Sequence, residues 1–103
     1  MTRAEIRAAL IAVDPHIRHY RSMSSSGNYT YWEETHLLNL IADNHHAEGW
    51  AFVVHRFTRD ENDAIADALL AALDADDRIT VQYNVDHERD TGYIHHIYDC
   101  EGY

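Results

Sequence analysis

Lysine is absent from this sequence of 103 residues, and cysteine, proline and glycine are scarce, with one, one and four residues. The single cysteine, Cys100, excludes an internal disulfide and a metal site built on several cysteines. Four glycines do not form a glycine-rich phosphate loop. No run approaches the length of a membrane span, and the N-terminus lacks the apolar segment of a signal peptide. We therefore expect a cytosolic product with no membrane partner.

Positive charge is scarce as well. Eighteen acidic residues stand against eight basic ones, which gives a formal net charge of −10. A face that binds phosphates needs clustered lysine and arginine, so the composition does not favour nucleic acid as a ligand. An acidic surface can keep a protein soluble, meet a basic partner, or line a passage through which DNA moves without sticking.

Two amphipathic helices are predicted within one domain covering residues 1–103. Residues 2–5 form a capping box, and apolar residues at helical spacing follow it, so the first helix should span about residues 3–13 and end at Asp14 and Pro15. Residues 58–61 form a second capping box, which predicts that the second helix begins at Thr58. Its apolar stripe contains Ile65, Leu69 and Leu73.

Strand patterns fill the rest of the chain. We predict a short strand at 16–21 that suits an edge position, a loop at 22–28, and a strand at 29–36 that continues through 37–41 as strand or helical turn. A loop at 43–49, an inner strand at 50–57, a half-buried strand at 79–86, a turn at 87–92 and a strand at 93–98 follow. The last strand buries either Ile94 and Tyr98, or Tyr93 and Ile97. The order α-β-β-β-α-β-β predicts an α+β fold with two helices packed on one face of a mainly antiparallel sheet of four or five strands.

Nine histidines raise the question of metal binding or acid–base catalysis. His95 and His96 are adjacent, so in a strand they point to opposite faces. His87, Glu88, Asp90 and one of His95 or His96 could meet across the last hairpin. His45 and His46 lie in a predicted loop and could both turn inward, but no cysteine or further histidine stands at a fixed short spacing to complete a site with them. No serine lies in a strained nucleophile elbow either. We therefore expect no metal, no cofactor, no catalytic residues and no enzyme.

Aromatic side chains give a stronger indication of function than the histidines do. Tyr29, Tyr31, Trp32 and Trp50 crowd the middle strands, and they form either an ordinary core with one exposed face or a surface that binds protein. Identical chains that pair through such a surface would form a closed ring or dimer. The predicted interaction residues are Tyr31, Trp32, Trp50, Asp60, Asp63 and Asp67.

Two segments carry a resemblance to a known family. The run RFTRDENDAIADALLAAL followed by ITVQYNVDHERDTGYIHHIYD resembles the small tail-completion or tail-terminator proteins of siphophages, above all in the closing segment at residues 86–95. The resemblance covers about half of the chain. It implies a virion component without enzymatic activity, usually a hexameric ring that stops growth of the tail tube and mediates head–tail joining. Its partners would be copies of itself and phage tail or connector proteins.

A second hypothesis comes from another class of protein. Small acidic phage-encoded proteins also inhibit host defence nucleases by occupying their basic nucleic-acid groove. Here the carboxylates would be those of Asp60, Asp63, Asp67, Asp74, Asp76 and Asp77. Binding by such a nucleic-acid mimic should weaken steeply with salt, whereas a ring built on aromatic contacts should not.

Overall fold

The chain folds as two helices and a five-stranded mixed sheet. The computed structural model describes residues 1–21, 27–42 and 45–103. The elements are α1 (Arg3–Ile11), β1 (Arg18–His19), β2 (Tyr29–Ala42), β3 (His45–Thr58), α2 (Ala64–Ala75), β4 (Ile79–His87) and β5 (Ile94–Gly102). The strands lie in the order β1-β2-β3-β5-β4. All neighbouring strands are antiparallel except β1 and β2, which are parallel. The predicted α+β architecture and order of elements are confirmed.

Helix α1 begins as the sequence predicts. The Thr2 side chain accepts a hydrogen bond from the Glu5 backbone, and the Glu5 side chain accepts one from Thr2, which completes the capping box. The helix ends at Ile11, two residues before the predicted end. Ile6 and Leu10 are buried against the sheet. No helix in the described part of the chain is long and apolar enough to span a membrane.

Helix α2 does not begin at Thr58, so the second predicted capping box is wrong. Thr58 is fully buried as the last residue of β3, and its hydroxyl accepts a hydrogen bond from the backbone of Asp60. Asp63 caps the helix instead, because its carboxylate accepts from the Ala66 backbone at 3.0 Å. Strand pairing with β5 continues through Thr58, and this pairing overrides the local capping pattern. The predicted stripe is confirmed in Leu69 and Leu73, which are buried.

Strands β2 and β3 form one long hairpin. The predicted loop at 43–49 is wrong for residues 45–49, which belong to β3, while residues 43 and 44 lie outside the described residues. The alternative between strand and helical turn at 37–41 resolves as strand. A register shift between Glu34 and His36 leaves one extra residue in β2. The predicted loop at 22–28 lies outside the described residues except for Gly27 and Asn28.

The far end of this hairpin projects beyond the rest of the sheet. Strand β5 pairs with β3 only from Trp50 to Thr58, so among the described residues 38–42 and 45–49 pair only with each other. We call this two-stranded segment the arm. Five residues of strand span about 17 Å, which agrees with a molecule of 50 × 26 × 24 Å.

Strands β4 and β5 complete the sheet. Gly92 has φ of 76°, a left-handed conformation that glycine adopts without strain, and it closes the predicted turn. Strand β5 begins at Ile94 and runs to Gly102, four residues past the predicted end. Of the residues that the sequence left open, Tyr98 and Tyr93 are buried. Cys100 lies within β5 and is buried.

The core lies between the helices and one face of the sheet, as predicted. Alternation places Trp32, Phe52, Val54 and Tyr98 on this face, where they contact Ile6 and Leu10 of α1 and Leu69 and Leu73 of α2. The Tyr98 hydroxyl, buried under α2, donates a hydrogen bond of 2.6 Å to the carbonyl of Ala66. Its polar atom is therefore satisfied inside an apolar core.

Candidate functional site

The sheet face opposite the helices carries aromatic and histidine side chains. Register places Tyr31 opposite His55 and Phe57 opposite His95, and the period of two brings all four side chains to this face. Within residues 1–21, 27–42 and 45–103, both helices pack on the other face. This second face is therefore the natural place to look for a site.

Phe57 stands at the centre of an aromatic cluster. Its ring stacks on Tyr29 at 4.8 Å and on His95 at 4.0 Å, and Tyr93 meets it edge-on at 5.8 Å. Tyr31, Phe57 and Tyr93 are only 8%, 6% and 8% exposed. The guanidinium of Arg59 lies 4.3 Å from the Tyr93 ring, a cation–π contact. The cluster is a second small core that holds nearby polar side chains in place.

A row of four polar side chains crosses the same face. His55 Nε2 lies 3.3 Å from Glu33 Oε1, His55 Nδ1 lies 2.8 Å from His95 Nε2, and His95 Nδ1 lies 3.6 Å from Glu88 Oε2. Burial lowers the pKa of His55 and outweighs the opposite effect of Glu33. Burial, and then the neighbouring His55, lower the pKa of His95. The row therefore joins three strands, β2, β3 and β5, and the β4–β5 turn through two imidazole rings whose lowered pKa disfavours protonation.

Three side chains at the end of this row could hold a metal ion. Asp86, Glu88 and His95 each offer one ligand atom, and these atoms lie within 4.8 Å of one another. Asp86 pairs with His95 in the register of β4 and β5. Glu88 is oriented by Thr91, whose hydroxyl donates to Glu88 Oε1 at 3.0 Å.

A shallow depression of about 330 Å³ lies elsewhere on the sheet, lined in part by Val53, Gln82 and Asp99. Cys100 also borders it, but the thiol is no nucleophile. Burial raises its pKa to about 12, and Asp99 adds to the shift, so the reactive thiolate is absent at neutral pH. The depression therefore lacks the activated group that covalent catalysis requires.

The two edges of the sheet differ in charge. Residues 1–21 contain four arginines and two acidic residues, whereas the rest of the chain contains four arginines and sixteen acidic residues. Exposed Arg7 and Arg18 lie on α1 and on the edge strand β1. The opposite edge consists of β4, which carries exposed Asp86, and of the contacting helix α2 with exposed Asp67 and Asp74. One edge is thus basic and the other acidic.

Glu34 lies on β2 beside the basic edge, but its carboxylate contacts side chains of the same chain. His19 Nε2 lies 2.6 Å from its carboxylate, Tyr20 donates a hydrogen bond to it, and Arg3 lies 3.8 Å away. Burial raises the pKa of Glu34, but the hydrogen bonds from Tyr20 and His19 more than compensate, so its pKa is below the ordinary value. This carboxylate stays ionised while its charge is balanced within the chain.

The predicted interaction residues are dispersed in the structure. Trp32 is 1% exposed in the core, and Tyr31 is largely buried in the aromatic cluster, so neither offers much surface to a partner. Trp50 is half-buried, with the Arg3 guanidinium 4.9 Å from its ring. The structure places these rings mainly in the packing of the chain itself.

The predicted acidic residues are dispersed as well. Asp60 and Asp67 are exposed, and Asp60 accepts a hydrogen bond from Asn28 at 2.8 Å. Asp63 does not lie on the outer side of the helix, because it caps α2 and pairs with buried Arg56. Asp76 is also engaged, since two hydrogen bonds from the Arg78 side chain lower its pKa to about 2. The carboxylate array that a nucleic-acid mimic needs is thereby reduced.

Sequence reasoning did not identify Glu33 and His55. Alternation alone puts Tyr31 and Glu33 on one face of β2, and His55 and Phe57 on one face of β3. Bringing the two pairs together requires the register of the hairpin, which the predicted loop at 43–49 concealed. No local signal in the sequence supplies that register.

Comparisons with known proteins give a likeness of fold. No family model matches the sequence, and no curated protein matches it. Among solved structures, the chain is similar to a chain of the virion of a native gene transfer agent particle, with a TM-score of 0.57 and 15% identity. The match covers 92% of this chain and 83% of that one.

Proposed function

We propose that this protein is a structural component of a phage-like virion, a tail terminator or tail-completion protein that assembles as a ring and mediates head–tail joining. The observation that carries the proposal is the likeness of fold to a virion chain over 92% of the residues. The resemblance at residues 86–95 points to the same class of protein. In this role the chain is not an enzyme, and it resides in the virion.

The charge of the two edges supports association of identical chains. A basic edge at Arg7 and Arg18 and an acidic edge at Asp67 and Asp74 are complementary, so the β1 side of one copy fits the β4 side of the next. Such a contact is heterologous, and heterologous contacts close into rings when the rotation between subunits permits.

The free edge of β4 supports the same proposal. Strand β4 has nine residues and, in the part of the chain that the structure describes, pairs on one side only, with β5. Val85 on this strand is 41% exposed. Long edge strands with unpaired backbone groups tend to pair with another chain unless they are blocked. The edge is therefore suited to a neighbouring subunit.

Molar mass in solution tests the proposal. We expect light scattering behind a sizing column to show a mass that rises with concentration from 11.9 kDa toward a closed ring, six copies being the expected number. Arg18→Glu should lower the associated fraction because it places a negative charge at the basic edge. Arg59→Glu, the same change in the exposed loop after the middle strand β3, is the matched control because it lies away from both edges.

A mass that stays at one chain over the whole concentration range, with Arg18→Glu and Arg59→Glu indistinguishable, would contradict self-association through these edges. Inhibition of a host protein would then become the better hypothesis. It would be pursued by binding measurements at two salt concentrations, because a nucleic-acid mimic loses affinity as salt rises.

A further inference from the structure

The β4–β5 turn brings three metal-ligand side chains to one side of the sheet. Asp86 lies opposite His95, and Glu88 follows two residues later. Their ligand atoms lie within 4.8 Å of one another, and His95 Nδ1 and Glu88 Oε2 are 3.6 Å apart. Two ligands of a tetrahedral ion with bonds of about 2.0 Å stand roughly 3.3 Å apart. Asp86 is exposed, and binding requires its carboxylate to move closer to the other two ligands.

The imidazole of His95 is held in a fixed orientation. Phe57 stacks on the ring at 4.0 Å with an interplanar angle of 17°. The far nitrogen, Nε2, contacts His55 at 2.8 Å, and His55 in turn contacts Glu33. Metal-ligating histidines commonly bind a carboxylate or carbonyl through their second nitrogen, which fixes the tautomer and the ring plane. Here that role falls to His55 and, through it, to Glu33.

The hydrogen bonds of this row leave one position for a cation. The two hydrogen bonds of the row, Glu33 to His55 and His55 to His95, each need one hydrogen, whereas His95 Nδ1 and Glu88 Oε2 lie 3.6 Å apart without one. Two neutral imidazoles supply two hydrogens, since each ring has one N–H and one lone pair. When those hydrogens bridge Glu33 to His55 and His55 to His95, the Nδ1 lone pair of His95 faces the Glu88 carboxylate. Two electron-rich groups facing each other, with Asp86 beside them, favour a positive ion between them.

We propose that Asp86, Glu88 and His95 Nδ1 bind one divalent transition-metal ion of the zinc class, with water completing the coordination. One imidazole and two carboxylates suit Zn²⁺ and its first-row neighbours, whereas Mg²⁺ prefers an all-oxygen environment. The bound ion ties β4, the turn and β5 together at the acidic edge of the sheet. The inference concerns a single chain, so it does not depend on assembly into a virion.

Calorimetric titration of metal-stripped protein with Zn²⁺ tests the site, with Mg²⁺ as the comparison ion. We expect one Zn²⁺ per chain and much weaker binding of Mg²⁺. Asp86→Asn and Glu88→Gln keep the shape of each side chain but remove a charged ligand, so each should weaken Zn²⁺ binding at least about tenfold. Asp90→Asn in the same turn is the matched control and should leave the affinity unchanged.

Glu33→Gln tests the positioning row. Glu33 touches no metal in this arrangement, so a loss of about tenfold in Zn²⁺ affinity reports its effect through His55. Imidazole ¹⁵N resonances give an independent readout, because Zn²⁺ should shift Nδ1 of His95. Near-ultraviolet circular dichroism of each variant checks that the fold is intact. The proposal is overturned if the Asp86→Asn/Glu88→Gln double variant binds Zn²⁺ as tightly as the parent, or if only other histidines shift.

Discussion

The buried pair of Arg56 and Asp63 gives the sharpest prediction about stability. The two side chains are 6% and 9% exposed, and the guanidinium donates two hydrogen bonds to the carboxylate, at 2.8 Å and 3.1 Å. Asp63→Asn keeps an oxygen to cap α2 but leaves the Arg56 charge buried without its counter-ion. Removing one partner of a buried pair costs about 3–5 kcal/mol, a large part of the roughly 5–15 kcal/mol that stabilises a typical domain.

Urea unfolding followed by the fluorescence of buried Trp32 measures this loss. Asp67→Asn is the matched control, since it makes the same chemical change one turn further along α2 on an exposed side chain, and it should change the free energy of unfolding by less than about 0.5 kcal/mol. In the double variant Arg56→Met/Asp63→Asn, much of the loss should return because no charge is stranded. Equal effects of Asp63→Asn and Asp67→Asn would refute the reasoning.

The same pair predicts a pH dependence. Burial raises the pKa of Asp63, but the hydrogen bonds from Arg56 and from the Ala66 backbone outweigh it, so the folded pKa is below the ordinary value. A depressed pKa stabilises the fold above the unfolded pKa of about 3.9 and loses this contribution as pH falls through the folded value. The difference in unfolding free energy between the parent and Asp63→Asn should therefore be constant near neutral pH and shrink in acid below about pH 4.

Two further predictions concern the inner strands. A β-carbon at Gly49 would overlap the carbonyl oxygen of Gly102, so Gly49→Ala should lower the free energy of unfolding, measured by thermal unfolding, by about 1–3 kcal/mol. Gly27→Ala is the control, because a β-carbon there meets no described atom within 4 Å. An equal effect of the two substitutions would contradict the close approach of Gly49 and Gly102. Cys100 should react with a thiol reagent only as fast as the protein unfolds, because the residue is 4% exposed and burial raises the thiol pKa to about 12. Fast labelling of the folded protein would contradict this and show that β5 opens near its end.

The sequence predicted the fold where local pattern and tertiary packing agree. The stripe of α2 and the alternation of β4 follow from periods of 3.6 and two, and burying both apolar stripes against one sheet face leaves little choice of architecture. The predicted start of α2 is wrong because residues 58–61 match the capping pattern in sequence, whereas Asp63 is the residue that caps the helix in the structure. Asp63 both caps the helix and pairs with Arg56, and only the packed structure reveals that second partner.

The candidate site was less accessible from the sequence. The sequence predicts that Glu88 and one of His95 or His96 could meet across the last hairpin, together with His87 and Asp90. The register pairs Asp86 with His95 and extends the row through His55 to Glu33, which is 62 residues away from His95 in the chain. Contacts between distant strands depend on hairpin register, which local propensities do not encode.

The arm divides β3 into two segments that differ in the number of neighbouring strands. From Trp50 onward its backbone lies between β2 and β5, so opening it breaks two ladders of hydrogen bonds. Before Trp50 it has one neighbour, and a lone two-stranded ribbon is only marginally stable in water. Local opening of β3 should therefore proceed from His45 toward Gly49 and stop at Trp50, where pairing with β5 begins. One continuous strand should thus combine a segment that opens only with the whole fold and a segment whose free energy of opening is far smaller.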